Sequence, residues 1–131
     1  MSLKRKLVFA LRSLLALALA FVVVQVVNLA GMWLAQASGW PAGGDPRLAW
    51  DLLWVFLAGV AATWTAVKLA PGAPRGHAIA FFVLALVIDV VAVAQLGDGW
   101  PWWFSTGILL TLPLQVWLGA WLALRKRAAS G

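Results

Sequence analysis

This 131-residue chain has no cysteine and no glutamate, and it has a single histidine. Without cysteine there can be no disulfide, thiolate nucleophile, iron–sulfur cluster or cysteine-held zinc. Without glutamate, its acids are four aspartates: Asp45, Asp51, Asp89 and Asp98. Paired carboxylates, a Ser/His couple or a metal-ligand cluster would signal an enzyme, and none is apparent. His77 has no second ligand near it in sequence, and Ser105 has no base to activate it. The chain is therefore expected to be non-enzymatic, with no catalytic residue, metal or cofactor.

Charge is also scarce. Charged residues make up 11% of the chain and hydrophobic ones 64%, with a mean hydropathy of +0.95. A soluble domain carries about 25% charged residues. A water-soluble protein of this size could not hide so much apolar surface, so lipid must cover it. The net charge of +6 raises nucleic-acid binding as an alternative. The placement of the charges argues against it, because the basic clusters flank apolar runs and no basic helical face exists. Lys4, Arg5 and Lys6 at one end, and Arg125, Lys126 and Arg127 at the other, read as anchors for anionic headgroups.

Four apolar runs cover about 7–36, 49–70, 76–96 and 101–124. Each meets the roughly 20 residues that a helix needs to cross hydrocarbon. Ser38–Pro46, Pro71–Pro74 and Gly97–Pro101 separate them with Gly/Pro turn chemistry. Strands are excluded because alternation is missing and four strands cannot close a barrel. The fold class is thus all-α: one domain over 1–131, an integral membrane four-helix bundle. Short connections predict an antiparallel up-down-up-down order. Nine Lys and Arg fall on the side of the termini and the 71–76 loop, against Arg47 alone on the other. The positive-inside rule then puts both termini in the cytoplasm. Lys4-Arg5-Lys6 followed by Ala35-Gln36-Ala37 imitates a cleavable signal peptide. Its apolar run is about twice the 7–15 residues of such signals, so a retained first helix is expected.

Asp89 is the most informative residue, about seven positions from the end of the third run, or roughly 10 Å deep. A carboxylate near mid-membrane costs about 2.5–3.5 kcal/mol, so partners are expected. Asn28 lies at matching depth in the first run, with Gln25 one turn deeper on the same face. Gly107, Thr111, Gln115 and Gly119 form an i, i+4 row in the fourth, interrupted by Pro113. Ala58, Ala62 and Ala66 make a small-residue row in the second, and Ala78, Ala85 and Ala92 mark a face of the third. Convergence of these faces predicts an interior holding Gln25, Asn28, Asp89, Thr111 and Gln115. Asp51 is expected to complement the dipole at the start of the second helix, and Ser105 and Thr106 to open the fourth.

Of the ten tryptophans, most lie near the expected interfaces, where an indole finds both apolar contact and a hydrogen-bond acceptor. Trp100, Trp102 and Trp103 form a candidate aromatic cluster on the outer face.

Lys68-Leu69-Ala70-Pro71, His77-Ala78, Trp102-Trp103-Phe104, Leu112-Pro113 and Gly119-Ala120 together resemble a loose group of small bacterial four-span inner-membrane proteins. The resemblance covers roughly the last two-thirds of the chain and implies location in that membrane, but no activity. Small multidrug transporters are similar in length but need a glutamate in the first span. Dual-topology fluoride channels need a balanced Lys/Arg count. Two functions are thus expected to compete. One is an accessory or scaffold protein binding partner helices or lipid. The other is a small oligomeric carrier or channel built on the cluster around Asp89.

Overall fold

A computed structural model describes residues 2–130, with side chains described as far as Arg125. Four helices account for nearly all of it: α1 (Leu3–Ala37), α2 (Asp45–Leu69), α3 (Pro74–Leu96) and α4 (Trp102–Ser130). A single 3₁₀ turn, Gly97–Gly99, separates α3 from α4, and no strand occurs among the described residues. Each of the four helices is long and apolar enough to cross a membrane.

The helices outrun their apolar cores because polar residues start them. Ser2 caps α1, its Oγ accepting from the Arg5 backbone N–H at 3.2 Å. Proline occupies the first turn of both α2 and α3, where its missing N–H costs nothing. Asp45 supplies the acid in the first turn of α2. The expectation for Asp51 is therefore corrected. It lies beyond the first turn and pairs with Arg47 at 3.1 Å. Ser105 and Thr106 likewise do not open α4, which starts at Trp102. Ala35 and Ala37, the imitation cleavage site, form the last turn of α1.

Packing centres on α2 and α4. A third of the apolar window of each is buried, against 11% for α1 and for α3. Glycines allow the approach. A Cβ on Gly119 would lie 2.5 Å from the Val60 carbonyl oxygen and 2.8 Å from the Thr63 Cβ, and one on Gly107 would meet the Leu52 side chain. Gly59 in turn receives the Gln115 side chain. Residue numbers thus rise together along this seam: 52 with 107, 59 with 115, 63 with 119. Such close contact is what small-residue rows provide where lipid leaves no hydrophobic drive between helices. Ala20, Ala62, Ala66, Phe81, Ala85 and Leu112 form the central core cluster. Val67, Ala78 and Ala123 form a second. The α2 row of Ala58, Ala62 and Ala66 is buried, and so are Ala78 and Ala85 of α3, whereas Ala92 is only half-buried.

α1 rests on α2. The Trp54 ring occupies the space a Gly31 side chain would need, and Trp50 Nε1 donates to the Gly31 carbonyl at 2.9 Å. The outer faces carry large apolar side chains; Leu110, for example, is 72% exposed.

Gly119→Ala tests the seam, since its new methyl would face backbone that cannot yield. We expect a loss of about 1–3 kcal/mol in reversible unfolding in mixed micelles. Gly99→Ala, which meets open space, should be neutral. Equal stability of the two variants would contradict this packing.

Candidate functional site

Near the basic end, α1 and α3 are tied together. The His77 side chain is 7% exposed. Its Nδ1 lies 3.0 Å from the Ala73 carbonyl and its Nε2 2.9 Å from Ser13 Oγ. A carbonyl only accepts, so Nδ1 carries the hydrogen and donates to Ala73, while Nε2 shares a hydrogen bond with the serine hydroxyl. Phe9 meets the His77 ring edge-on, and Phe21 packs against Phe81 at 5.1 Å. Sequence reasoning placed His77 at the mouth of the third span without a partner. Its partner comes from a residue 64 positions away, which no local pattern signals.

Beyond Phe21 and Phe81 the two helices part. A cleft of about 180 Å³ opens between them, floored by Val55 and Gly59 of α2 and by Ile108, Leu112 and Gln115 of α4. Gln25 and Asn28 line one wall, and Asp89 the other. Four of the five residues expected in the interior thus border a single cleft. Thr111 joins them indirectly: Gln115 Nε2 donates to Thr111 Oγ1 at 3.0 Å, and Thr111 donates to the Gly107 carbonyl. Gln115 is buried, at 2% exposure, whereas Asn28 and Asp89 are half-buried and Gln25 is exposed. The expected convergence is therefore incomplete, because α1 and α3 splay and leave Gln25 on an open side. Among the described residues, none hydrogen-bonds the side chains of Gln25, Asn28 or Asp89.

A second cavity of about 230 Å³ lies beside the first and shares Asn28 and Val55 with it. Its other walls include Arg47, Asp51 and Trp54. Arg47 is 7% exposed and held by Asp51. The buried Trp54 Nε1 has no hydrogen-bond partner. Polar groups therefore run from the Arg47–Asp51 pair through Asn28 to Asp89 and Gln115. Sequence reasoning used Arg47 only for charge counting and missed this outer arm, although the i, i+4 spacing of Arg47 and Asp51 signals their pairing.

The tryptophans divide differently from expectation. Trp100 and Trp103 each pack edge-on against Phe104, while Trp102 stands apart at 79% exposure. The three do not form one gripping face. The continuous aromatic cluster is Trp40–Trp50–Trp54, with centroids 5.5 and 5.8 Å apart. At the basic end Trp117 stacks on Trp121, and Arg125 lies over Trp121 at 4.9 Å. The side chains of Lys126 and Arg127, named above as anchors, lie outside the described residues.

A volume of 180 Å³ is below the roughly 300–1,000 Å³ of sites for drug-sized molecules. It suits one inserted side chain or a few waters. Comparison with known protein families, with characterised proteins and with solved structures finds no match, so the chemistry must be read from these residues alone.

The absence of native cysteine makes access to the cleft directly measurable. Asn28→Cys should react with a small charged thiosulfonate at least tenfold faster than Ala62→Cys, whose site is fully buried. Equal inertness would mean that water does not reach the cleft.

Proposed function

We propose that this chain is a non-enzymatic accessory protein of a bacterial inner membrane. It crosses the bilayer four times in antiparallel up-down-up-down order with both termini in the cytoplasm. The nine-to-one basic asymmetry supports that direction. The helix contacts support the antiparallel order: Gly31 of α1 meets Trp54 of α2, Ala20 belongs to one core cluster with Ala62 and Ala66, and α2 and α4 rise together.

The observation that carries the functional reading is the cleft between α1 and α3, with unpaired Gln25, Asn28 and Asp89 on its walls. In hydrocarbon, polar groups without partners are costly, and an intramembrane carboxyl marks a place of function. A second membrane-embedded molecule entering from the side would satisfy all three. A polar side chain on a helix of a different membrane protein fits both the volume and the lateral opening.

The second reading is a small oligomeric carrier or channel. The adjoining cavity favours it, because Asn28 links Asp89 to the Arg47–Asp51 pair at the far end.

Extraction of the tagged chain into native lipid discs separates the two. The accessory reading expects a stoichiometric partner protein that the double variant Gln25→Leu, Asp89→Leu releases at least tenfold. A homo-oligomer with nothing else bound would contradict it and favour transport. In that case Asp89→Asn should abolish proton- or cation-coupled flux in proteoliposomes while expression is unchanged. Unaltered flux would remove Asp89 from any transport role.

A further inference from the structure

Two more cavities meet at Arg12. The larger, about 440 Å³, lies at the basic end and is lined by Lys4, Arg5, Phe9 and Arg12 of α1 and by Pro71. The smaller, about 180 Å³, is lined by Arg12, Leu15, Ala16, Leu19 and Leu69. One is cationic with an apolar rim; the other is apolar except for the arginine they share.

Local structure explains the alignment. Arg5, Arg12, Ala16 and Leu19 recur at helical spacing, so they form one stripe of α1. From Arg5 to Leu19 the helix rises roughly 21 Å, which is half of a bilayer of about 40–45 Å. The stripe is therefore one leaflet deep. Phe9 fixes the upper pocket against the α2–α3 loop, since its ring lies 3.1 Å from where a Gly72 Cβ would be. No carboxylate lines either cavity. Three positive charges thus face a space with no protein counterion, directly above an apolar groove.

We propose that these joined cavities are a binding site for one anionic phospholipid of the leaflet at the basic end. The phosphate and acidic headgroup would sit among Lys4, Arg5 and Arg12, and an acyl chain would follow Leu15, Ala16, Leu19 and Leu69. Basic pockets at the ends of membrane helices hold anionic headgroups in this way. The apolar groove is what selects a lipid over a free phosphate. Lys6, equally basic but absent from the lining, takes no part. This proposal rests on the membrane assignment above and is independent of the cleft at Asp89.

The test is native mass spectrometry of the purified chain in neutral detergent, titrated with phosphatidylglycerol or phosphatidylcholine of the same acyl chains. One phosphatidylglycerol should bind at least tenfold more tightly than phosphatidylcholine. Arg12→Gln and Arg5→Gln should each weaken it about fivefold, and Lys6→Gln should leave it unchanged. Inorganic phosphate and soluble glycerophosphoglycerol should bind at least a hundredfold more weakly, for want of acyl chains. An equal loss in Lys6→Gln would reduce the effect to general surface charge and overturn the site. Equal binding of both lipids, or of the soluble phosphates, would overturn it too. Flotation with phosphatidylcholine vesicles keeps the two claims apart. A chain that floats but does not discriminate lipids loses the site alone. A chain that fails to float loses the membrane assignment, and the site with it.

Discussion

The close approach of α2 to α4 is the contact on which the other features depend. Gly59 and Gly119 bring the two backbones together, and Gln115 fills the space left at Gly59. A side chain at Gly119 would meet the Val60 backbone, and one at Gly59 would displace the Gln115 side chain. With the seam fixed, Val55 and Gly59 of α2, and Ile108 and Gln115 of α4, present a shared floor. α1 and α3 can pack on that floor without packing on each other. Where they touch, at Ser13–His77 and Phe21–Phe81, they close the basic end. Where they part, the cleft appears.

This arrangement gives each polar side chain a different standing. Thr63 and Thr65 return their hydroxyls to their own helix, donating to the Gly59 and Ala61 carbonyls at 2.8 Å. Such bonds satisfy the hydroxyl without a second helix. Gln115 donates to the Thr111 hydroxyl, which in turn donates to the Gly107 carbonyl of the same helix. Gln25, Asn28 and Asp89 do neither. Interhelical hydrogen bonds in membranes contribute only about 0.6 kcal/mol on average, which is small beside the cost of an unpaired carboxyl. The unsatisfied three are therefore better explained by something that binds them than by a contribution to the stability of the bundle.

Much of this was legible in the sequence, and the failures are as physical as the successes. Gly/Pro turns and apolar run lengths located four helices, because both signals are local. Ends were misjudged where hydropathy and helicity differ. Asp45, Pro46 and Arg47 are too polar to score as a span, yet Pro in the first turn favours a helix start. Small-residue spacing identified the α2 row at Ala58, Ala62 and Ala66; depth matching paired Asn28 with Asp89, and the i, i+4 row of the fourth run pointed to Gln115, and all three line the cleft. What no local pattern could supply was the splay of α1 from α3, which follows from contacts such as Ser13 with His77. The Trp40–Trp50–Trp54 cluster was hidden for the same reason, since Gly31 becomes the acceptor for Trp50 only once α1 and α2 are paired.

On this reading the open side of the cleft is where a helix of a partner membrane protein enters. Site-specific photocrosslinking in intact cells addresses it directly, with a benzophenone side chain placed at Gln25 or at Ile88 on the two walls. A second probe at Leu110, exposed but not lining the cleft, reports background. One discrete protein adduct is expected from both wall positions and none from Leu110. Adducts of equal yield from all three positions, or lipid adducts alone from the walls, would contradict it.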